Sequence, residues 1–394
     1  MDSHIKNINL LNKKAISFAV LAPTKTAINK SIIDAIYSLR LYFKEKKFHD
    51  YDYQKKGEKN KSLRDCKIIE ENNIIDTKVS LYRPETKDGD PRIWIYNLKK
   101  IVEGGNKIIL ILKEDILFVF NSSKISLTKV LNEKNSSNEI FLFINSFDIA
   151  SNVAKELKDK LTNIAKIGFI EGKKGDKEVG EVLERNLGIK ANSNKSPDYK
   201  GIEIKSKHSE KTRSNLFALV PNYNHPLSKI NKITDIADEF GYYQNGVKVL
   251  ANTIFSTKTN SQGLKFKIDY KRELLFETST LDSKLKDFAV WEFQTLINRL
   301  KEKHKETFWI NAEKKNENKR LFFKYKSVVH TSNPNTHLLI DFIAQDIVTM
   351  DHIIRAKKNK DNTMGRREAG PLFKIYPKNL NLLIPIVEKF NLVD

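Results

Sequence analysis

The sequence predicts an α/β chain of two domains, the first β-rich. Three observations carry this. Runs of β-branched and aromatic residues crowd between Thr77 and Phe120, a polar stretch at Asn132 to Asn138 interrupts them, and strand-like runs then mix with amphipathic helices to the end of the chain. The division predicted is residues 1–145, a linker and helix over 146–164, and a second domain over 165–394.

The 394 residues leave room for two or three domains, each with its own core. Seventy Lys and Arg against 49 Asp and Glu give a net charge of +21, which favours a polyanionic partner, nucleic acid first, through counterion release. A lysine-rich composition without such a partner is the bland alternative, since Asn and Ile are also abundant. The single cysteine, Cys66, excludes a disulfide framework and a Cys-based zinc site. With no signal-peptide pattern at Met1 to Leu10 and no apolar run of the ~18 residues that a span requires, the chain is expected to be soluble and cytoplasmic, with no membrane partner.

In the first domain, Ser31 to Phe43 carries a helical stripe at Ile32, Ile33, Ile36, Leu39 and Tyr42. Lys44 to Lys61 is polar, basic and aromatic, the composition of a loop, either mobile or in contact with DNA. Thr77 to Tyr82, Arg92 to Tyr96, Lys107 to Leu112 and Ile116 to Phe120 read as strands of a barrel or curled sheet, and Lys87-Asp88-Gly89-Asp90 supplies a hairpin turn. Ile140 to Ile144 reads as an apolar strand and Ile149 to Ile164 as an amphipathic helix. Further on, helices are expected over Lys177 to Asn186 and Trp291 to Lys303, and strands over Asn215 to Val220, beside the strand that carries Glu203, and over Val247 to Ala251, Gly263 to Ile268 and Thr307 to Ala312.

The chemistry concentrates at Pro197-Asp198 and Gly201-Ile202-Glu203-Ile204-Lys205-Ser206-Lys207. The alternation of Ile202 and Ile204 with Glu203 and Lys205 is that of a half-buried strand, so Glu203 and Lys205 share a face. Asp198 precedes them across a short turn, Tyr199-Lys200-Gly201, whose glycine lets the backbone reverse. Two carboxylates converging beside a lysine can hold a divalent cation and place a water, which is the equipment for hydrolysing a phosphodiester. A solvated strand edge is the bland reading of the same residues. Upstream, Glu181 and Glu184 fall three residues apart on one helical face.

This PD-x4-E-x-K spacing, with Val179-Gly180-Glu181-Val182-Leu183-Glu184 and Leu187-Gly188 before it, resembles the PD-(D/E)XK nucleases, and among them the MutH-like and MvaI/BcnI restriction-type enzymes. The resemblance implies a central mixed sheet flanked by helices. It selects Glu184 over Glu181 to orient the catalytic shell or a second metal, makes Asp198, Glu203 and the Ile204 carbonyl ligands of Mg²⁺, and gives Lys205 the placing of the attacking water. Just beyond, Lys207 and His208 are candidates for contact with the DNA backbone. His208 reads equally as a plain exposed histidine, and the eight histidines show no His-x3-His metal spacing.

Two further stretches extend the resemblance. Tyr82-Arg83-Pro84-Glu85-Thr86-Lys87-Asp88-Gly89-Asp90-Pro91-Arg92-Ile93-Trp94 looks like a segment of B3-like effector domains of the EcoRII amino-terminal kind, with Arg83, Lys87 and Arg92 as candidate DNA contacts in an architecture like that of UbaLAI. Met350 to Arg355, then Gly365-Arg366-Arg367-Glu368-Ala369-Gly370-Pro371-Leu372-Phe373-Lys374-Ile375, looks like the base-reading part of MvaI-like enzymes, a long polar, basic loop between two strands. Arginine forks take guanine O6 and N7 bidentately, so Arg355, Arg366 and Arg367 suit a G·C-containing site, with Lys374 beside them. The family often has histidines where this chain has Arg366, Arg367 and Glu368.

The expectation is therefore a sequence-specific, Mg²⁺-dependent double-stranded DNA endonuclease of type II restriction kind, acting as a monomer on a CC-N-GG-like site. A cognate DNA methyltransferase would belong to the same system, and the first domain would be a possible effector site. A MutH-like nicking repair enzyme and a DNA-binding protein with a relic nuclease site are the alternatives.

Overall fold

The computed structural model describes residues 3–14, 16–71, 73–133, 138–147, 152–172, 178–189, 197–208, 212–282, 284–318, 320–359 and 361–393, apart from the side chains of Lys87 and Asn152. The chain divides into two compact units, Met1–Ser151 with Pro385–Val387 and Asn152–Ile384 with Glu388–Asp394.

The first unit is built on one mixed sheet of seven strands: β1 (Ala19–Leu21), β2 (Ile33–Asp34), β3 (Ser62–Ile69), β4 (Ile74–Tyr82), β5 (Arg92–Ile95), β6 (Ile108–Lys113) and β7 (Ile116–Asn121). Their order is β1-β6-β7-β3-β4-β5-β2, with β3 and β7 parallel and the other neighbours antiparallel. The run Ile108-Ile109-Leu110-Ile111 is apolar throughout because both faces of the sheet are covered. Ile108 and Leu110 join a core with Leu39, Tyr42 and Phe43 of the helix Tyr37–Glu45, while Ile109 and Ile111 join another with Leu127, Ile140 and Phe143. The expected turn between β4 and β5 forms at Lys87–Gly89, with Asp88 and Gly89 at positive φ (54° and 74°), and Arg83 Nε donates to the Gly89 carbonyl at 2.8 Å.

Two readings here change. Ile140 to Ile144 is part of a helix, Glu139–Asn145, not a strand; a short buried apolar run has no period that separates the two, and the Asn138 side chain decides it by accepting from the Ile140 and Phe141 amides. The stripe expected from Ser31 is helical only from Tyr37, because Ile33 and Asp34 form β2. The centre of the Asn132 to Asn138 stretch, 134–137, lies outside the described residues.

The second unit has three sheets. One holds β8 (Ile170–Gly172), β9 (Glu203–Lys207), β16 (Glu306–Glu317), β17 (Arg320–Ser332) and, from Glu388 on, β20 (Ile386–Asn391), in the order β20-β17-β16-β9 with β8 on β17. The second holds β10 (Ser214–Ala218), β11 (Tyr242–Gln244), β12 (Val247–Ile254), β18 (Val348–Lys358) and β19 (Met364–Ile375), in the order β10-β19-β18-β12-β11. A third, of β13 (Leu264–Asp269), β14 (Leu274–Ser279) and β15 (Ala289–Glu292), is antiparallel. Helices Asn152–Lys166 and Glu178–Asn186 pack Leu157, Leu161, Val182 and Leu183 onto Ile204, Phe308, Ile310 and Phe323 of the first of these sheets. This is the mixed sheet with flanking helices that the resemblance implies.

Three expectations are corrected. The strand at Asn215, β10, does not lie beside the strand of Glu203: β10 pairs with β19, and β9 pairs with β16, in parallel. The helix expected from Trp291 begins at Phe293, with Trp291 buried on β15. The long basic loop after Arg355 is instead the two arms of a β-hairpin, paired from Val348↔Ile375 to Lys358↔Met364 with a register shift between His352 and Ile354. Its outer half is exposed, so it carries no apolar alternation to betray a strand.

Because Leu157, Leu161 and Ile164 belong to the second core, a fragment starting at Asn152 should fold, whereas one starting at residue 165 should lose several kcal/mol, at roughly 2–5 kcal/mol per deleted large core side chain. Thermal melting of the two fragments checks this; equal midpoints would contradict it.

Candidate active site

The strand β9 brings the motif together. Tyr199 and Ile202 bond each other's backbone in both directions (2.9 and 2.8 Å), and Lys200 and Gly201 between them both take positive φ (46° and 94°), a two-residue mirror-image turn in which glycine relieves one of the two strained positions. Glu156 anchors the turn from the helix Asn152–Lys166, accepting from the Tyr199 hydroxyl at 2.7 Å and from Lys200 at 2.8 Å. The reversal carries Asp198 back along β9, where its Oδ2 accepts the Ile204 amide at 2.9 Å.

Glu203 and Lys205 share a face, as their alternation requires, and their side chains meet at 2.7 Å. Glu203 is 2 % exposed, yet it is not an unpaired buried charge: Lys303 also reaches it, at 3.1 and 3.2 Å. Burial by itself would raise the Glu203 carboxyl, but Lys205 and Lys303 together outweigh it and hold it below the ordinary range. Asp198 moves the opposite way. Burial first, and the Glu203 charge second, push its carboxyl up against the Ile204 hydrogen bond. Glu184 is also raised, by burial and then by Asp198 and Glu181. On the helix face Glu184 is half-buried and Glu181 exposed.

The sequence places Lys303 only at the end of a helix, not among the candidate site residues. It lies about 100 residues beyond Glu203, at the end of the helix Phe293–His304, in a Lys-Glu-Lys-His-Lys run that looks like any solvated face. Its neighbour explains its position. His304 is fully buried, with Nε2 bonded to the Leu216 carbonyl at 2.8 Å, Nδ1 to the Thr307 hydroxyl at 2.9 Å, and its ring stacked on Trp309. A carbonyl only accepts, so Nε2 carries the proton. Burial lowers the pKa to about 3, and this neutral imidazole pins the helix end between β10 and β16.

Among the described residues, no group of three or more His, Cys, Asp or Glu is gathered closely enough to hold a metal ion. The donors nevertheless fit Mg²⁺. That ion binds through one or two carboxylates, keeps several waters and takes phosphate oxygens, and does not use an all-protein cage. Asp198, Glu203 and the Ile204 carbonyl are hard oxygen donors, and Asp198 and Glu184 are raised by burial first and by neighbouring carboxylates second.

Other predicted site residues are placed as follows. Arg355 and Arg367 are exposed directly opposite each other on β18 and β19, a like-charge pair costing ~0.2–1 kcal/mol until an anion neutralises it. Arg366 is held by Asp238, Nη1 to Oδ1 at 2.6 Å and Nη2 to Oδ2 at 3.3 Å. Lys374 sits at the hairpin base, 2.9 Å from Asp351. Lys207 and His208 are half-buried at the end of β9. In the first unit Arg83 also donates to the Tyr51 carbonyl at 3.3 Å, Arg92 lies 3.9 Å from Asp34, and the Lys87 side chain lies outside the description.

A family model, the MvaI/BcnI restriction endonuclease family, matches residues 158–384, more than half of the chain. A solved structure titled as restriction endonuclease MvaI with its cognate DNA is 24 % identical, covers 62 % of this chain and 100 % of that one, and superposes with a TM-score of 0.54, a likeness of fold. MvaI in the absence of DNA matches at the same identity and coverage with a TM-score of 0.37. No curated protein matches the sequence. On the family match, whose span includes the helix of Glu184, the β9 motif and the β18–β19 hairpin, the chain belongs to the MvaI/BcnI restriction endonuclease family.

Proposed function

We propose that this restriction endonuclease hydrolyses double-stranded DNA at a specific short sequence with Mg²⁺, leaving 5′-phosphate and 3′-hydroxyl ends. Restriction enzymes of this kind generally use divalent metal ions. The observation that carries the reading is the convergence of Asp198, Glu203 and Lys205 at β9, with Glu203 charged despite burial. Asp198, Glu203 and the Ile204 carbonyl would hold the cation, which when bound supplies positive charge to the transition state and acidifies a water. Lys205 orients the attacking water, and Lys303 keeps the Glu203 carboxylate in place. Water attacks phosphorus, the bond from phosphorus to the 3′ oxygen breaks, and a proton goes to that oxygen. Glu184 supports the shell from the neighbouring helix.

Sequence reading falls to the exposed arginines of the hairpin. Arg355 and Arg367, and Arg366 once it leaves Asp238, are suited to guanines of a CC-N-GG-like site, while Lys207 and His208 are suited to the backbone. In the first unit, a B3-like module with Arg83, Lys87 and Arg92 on DNA would make cleavage effector-stimulated. The enzyme acts as a monomer in the cytoplasm, alongside a methyltransferase that protects host DNA.

Asp198→Ala or Glu203→Ala should abolish Mg²⁺-dependent cleavage, while binding of the same DNA in Ca²⁺ changes less than about tenfold, since the basic surface is retained. Wild-type cutting by either variant would sink the site.

One motif per chain means one strand cut per engagement, so a nicked plasmid should accumulate even at enzyme excess. Time courses read with light scattering test this: concerted linearisation by a species of twice the 45.6 kDa chain mass would refute the monomer.

A further inference from the structure

Beside the carboxylates, the second unit has a cavity of about 380 Å³. Glu184 and Gly180 form one wall, Lys205 to Lys207 of β9 a second, and Thr212 to Asn215 at the start of β10 a third. Two polar atoms on its lining, Ser206 Oγ and Asn215 Oδ1, are buried without a hydrogen-bond partner among the described residues. Each such atom costs about 1–3 kcal/mol unless something binds it. The Ser206 hydroxyl can donate to an anion, and Lys205 and Arg213 border the same space, so an oxygen-rich anion suits this side of the cavity, whereas Asn215 Oδ1 only accepts and would be answered by a donor.

Arg213 makes three hydrogen bonds. Its Nη1 donates to Thr349 Oγ1 at 2.6 Å, and its Nη2 to Thr253 Oγ1 at 3.0 Å and Asp351 Oδ1 at 2.8 Å. No described residue accepts from its Nε. The other Asp351 oxygen binds Lys374 at 2.9 Å. Burial opposes charge on Asp351, yet Lys374, Thr253 and Arg213 together keep its carboxyl below the usual range. Thr349 and Asp351 lie on β18, four residues or more before Arg355, and Lys374 lies on β19, so the base of the reading hairpin grips the guanidinium that borders the catalytic cavity. A guanidinium fixed on one edge by a carboxylate and two hydroxyls presents its other edge in one orientation.

We infer that Arg213 is a positioning residue that holds a DNA backbone phosphate next to the scissile one in this cavity, with Ser206, and that Asp351 ties its aim to the seating of the hairpin on the bases. The inference rests on the proposed cleavage reaction and adds a coupling to it. A correctly read sequence seats β18 and β19, Asp351 then sets Arg213, and the scissile phosphate is drawn to Asp198 and Glu203. A misread sequence displaces the clamp and leaves the phosphate out of line, where a misplacement of about 1 Å costs on the order of 100-fold in rate.

The test uses the full chain and a duplex bearing the sequence it cuts. Arg213→Ala should slow single-turnover cleavage about 100-fold while Ca²⁺-supported binding changes less than about tenfold. A methylphosphonate at one phosphate flanking the scissile bond should slow the wild type and add nothing in Arg213→Ala. Arg213→Lys and Asp351→Asn, checked to melt like the wild type, should also cut slowly, and Asp351→Asn should narrow the rate ratio between the cut sequence and a one-base-pair variant. These two carry the test if Arg213→Ala does not fold. Wild-type cutting by the folded variants, or losses that multiply at every methylphosphonate position, would overturn the inference. A wild-type chain that cuts no DNA would overturn the proposed reaction, and this coupling with it.

Discussion

The second unit turns on one buried carboxylate. Glu203 is almost without access to solvent and remains charged because two lysines from distant parts of the chain converge on it. Several features of the fold serve that convergence. Parallel pairing of β9 with β16 sets Glu203 opposite Thr307, Thr307 hydrogen-bonds His304, and His304 fixes the helix end that delivers Lys303. Removing one partner of a buried pair typically costs 3–5 kcal/mol, because the remaining charge is left uncompensated. The cluster is thus held together by mutual need, not by the strength of any single contact.

The arrangement also explains why the site is poised and not saturated. Two lysines answer Glu203, but burial first and neighbouring carboxylates second make Asp198 and Glu184 harder to ionise than a free side chain. Negative charge in excess of the local lysines is what a divalent cation would offset.

The local chemistry was legible in the residues and the long-range geometry was not. The alternation around Glu203 and the Lys200-Gly201 reversal are short-range facts, and the strand and the turn form where those residues lie. The family match covers the β9 motif and the hairpin. Lys303 and Arg213 escaped because nothing near them in sequence marks them; one arrives on a helix end after an inserted sheet, the other just before a strand whose partner lies far downstream. Ile140 to Ile144 escaped for a different reason, since a five-residue apolar run is compatible with either period and only its cap discriminates. The hairpin escaped because exposed strands rich in Lys and Arg lack the alternation by which strands are recognised.

The central claim is that the β9 cluster and the arginine-bearing hairpin act together as a sequence-specific phosphodiesterase. Its most direct measurement is the sequencing of every cut end from a plasmid digested with the purified chain and Mg²⁺. The account predicts one short, G·C-containing sequence at all cuts, each with a 5′-phosphate and a 3′-hydroxyl. Cuts scattered without a common sequence, or ends carrying a 3′-phosphate, would contradict it.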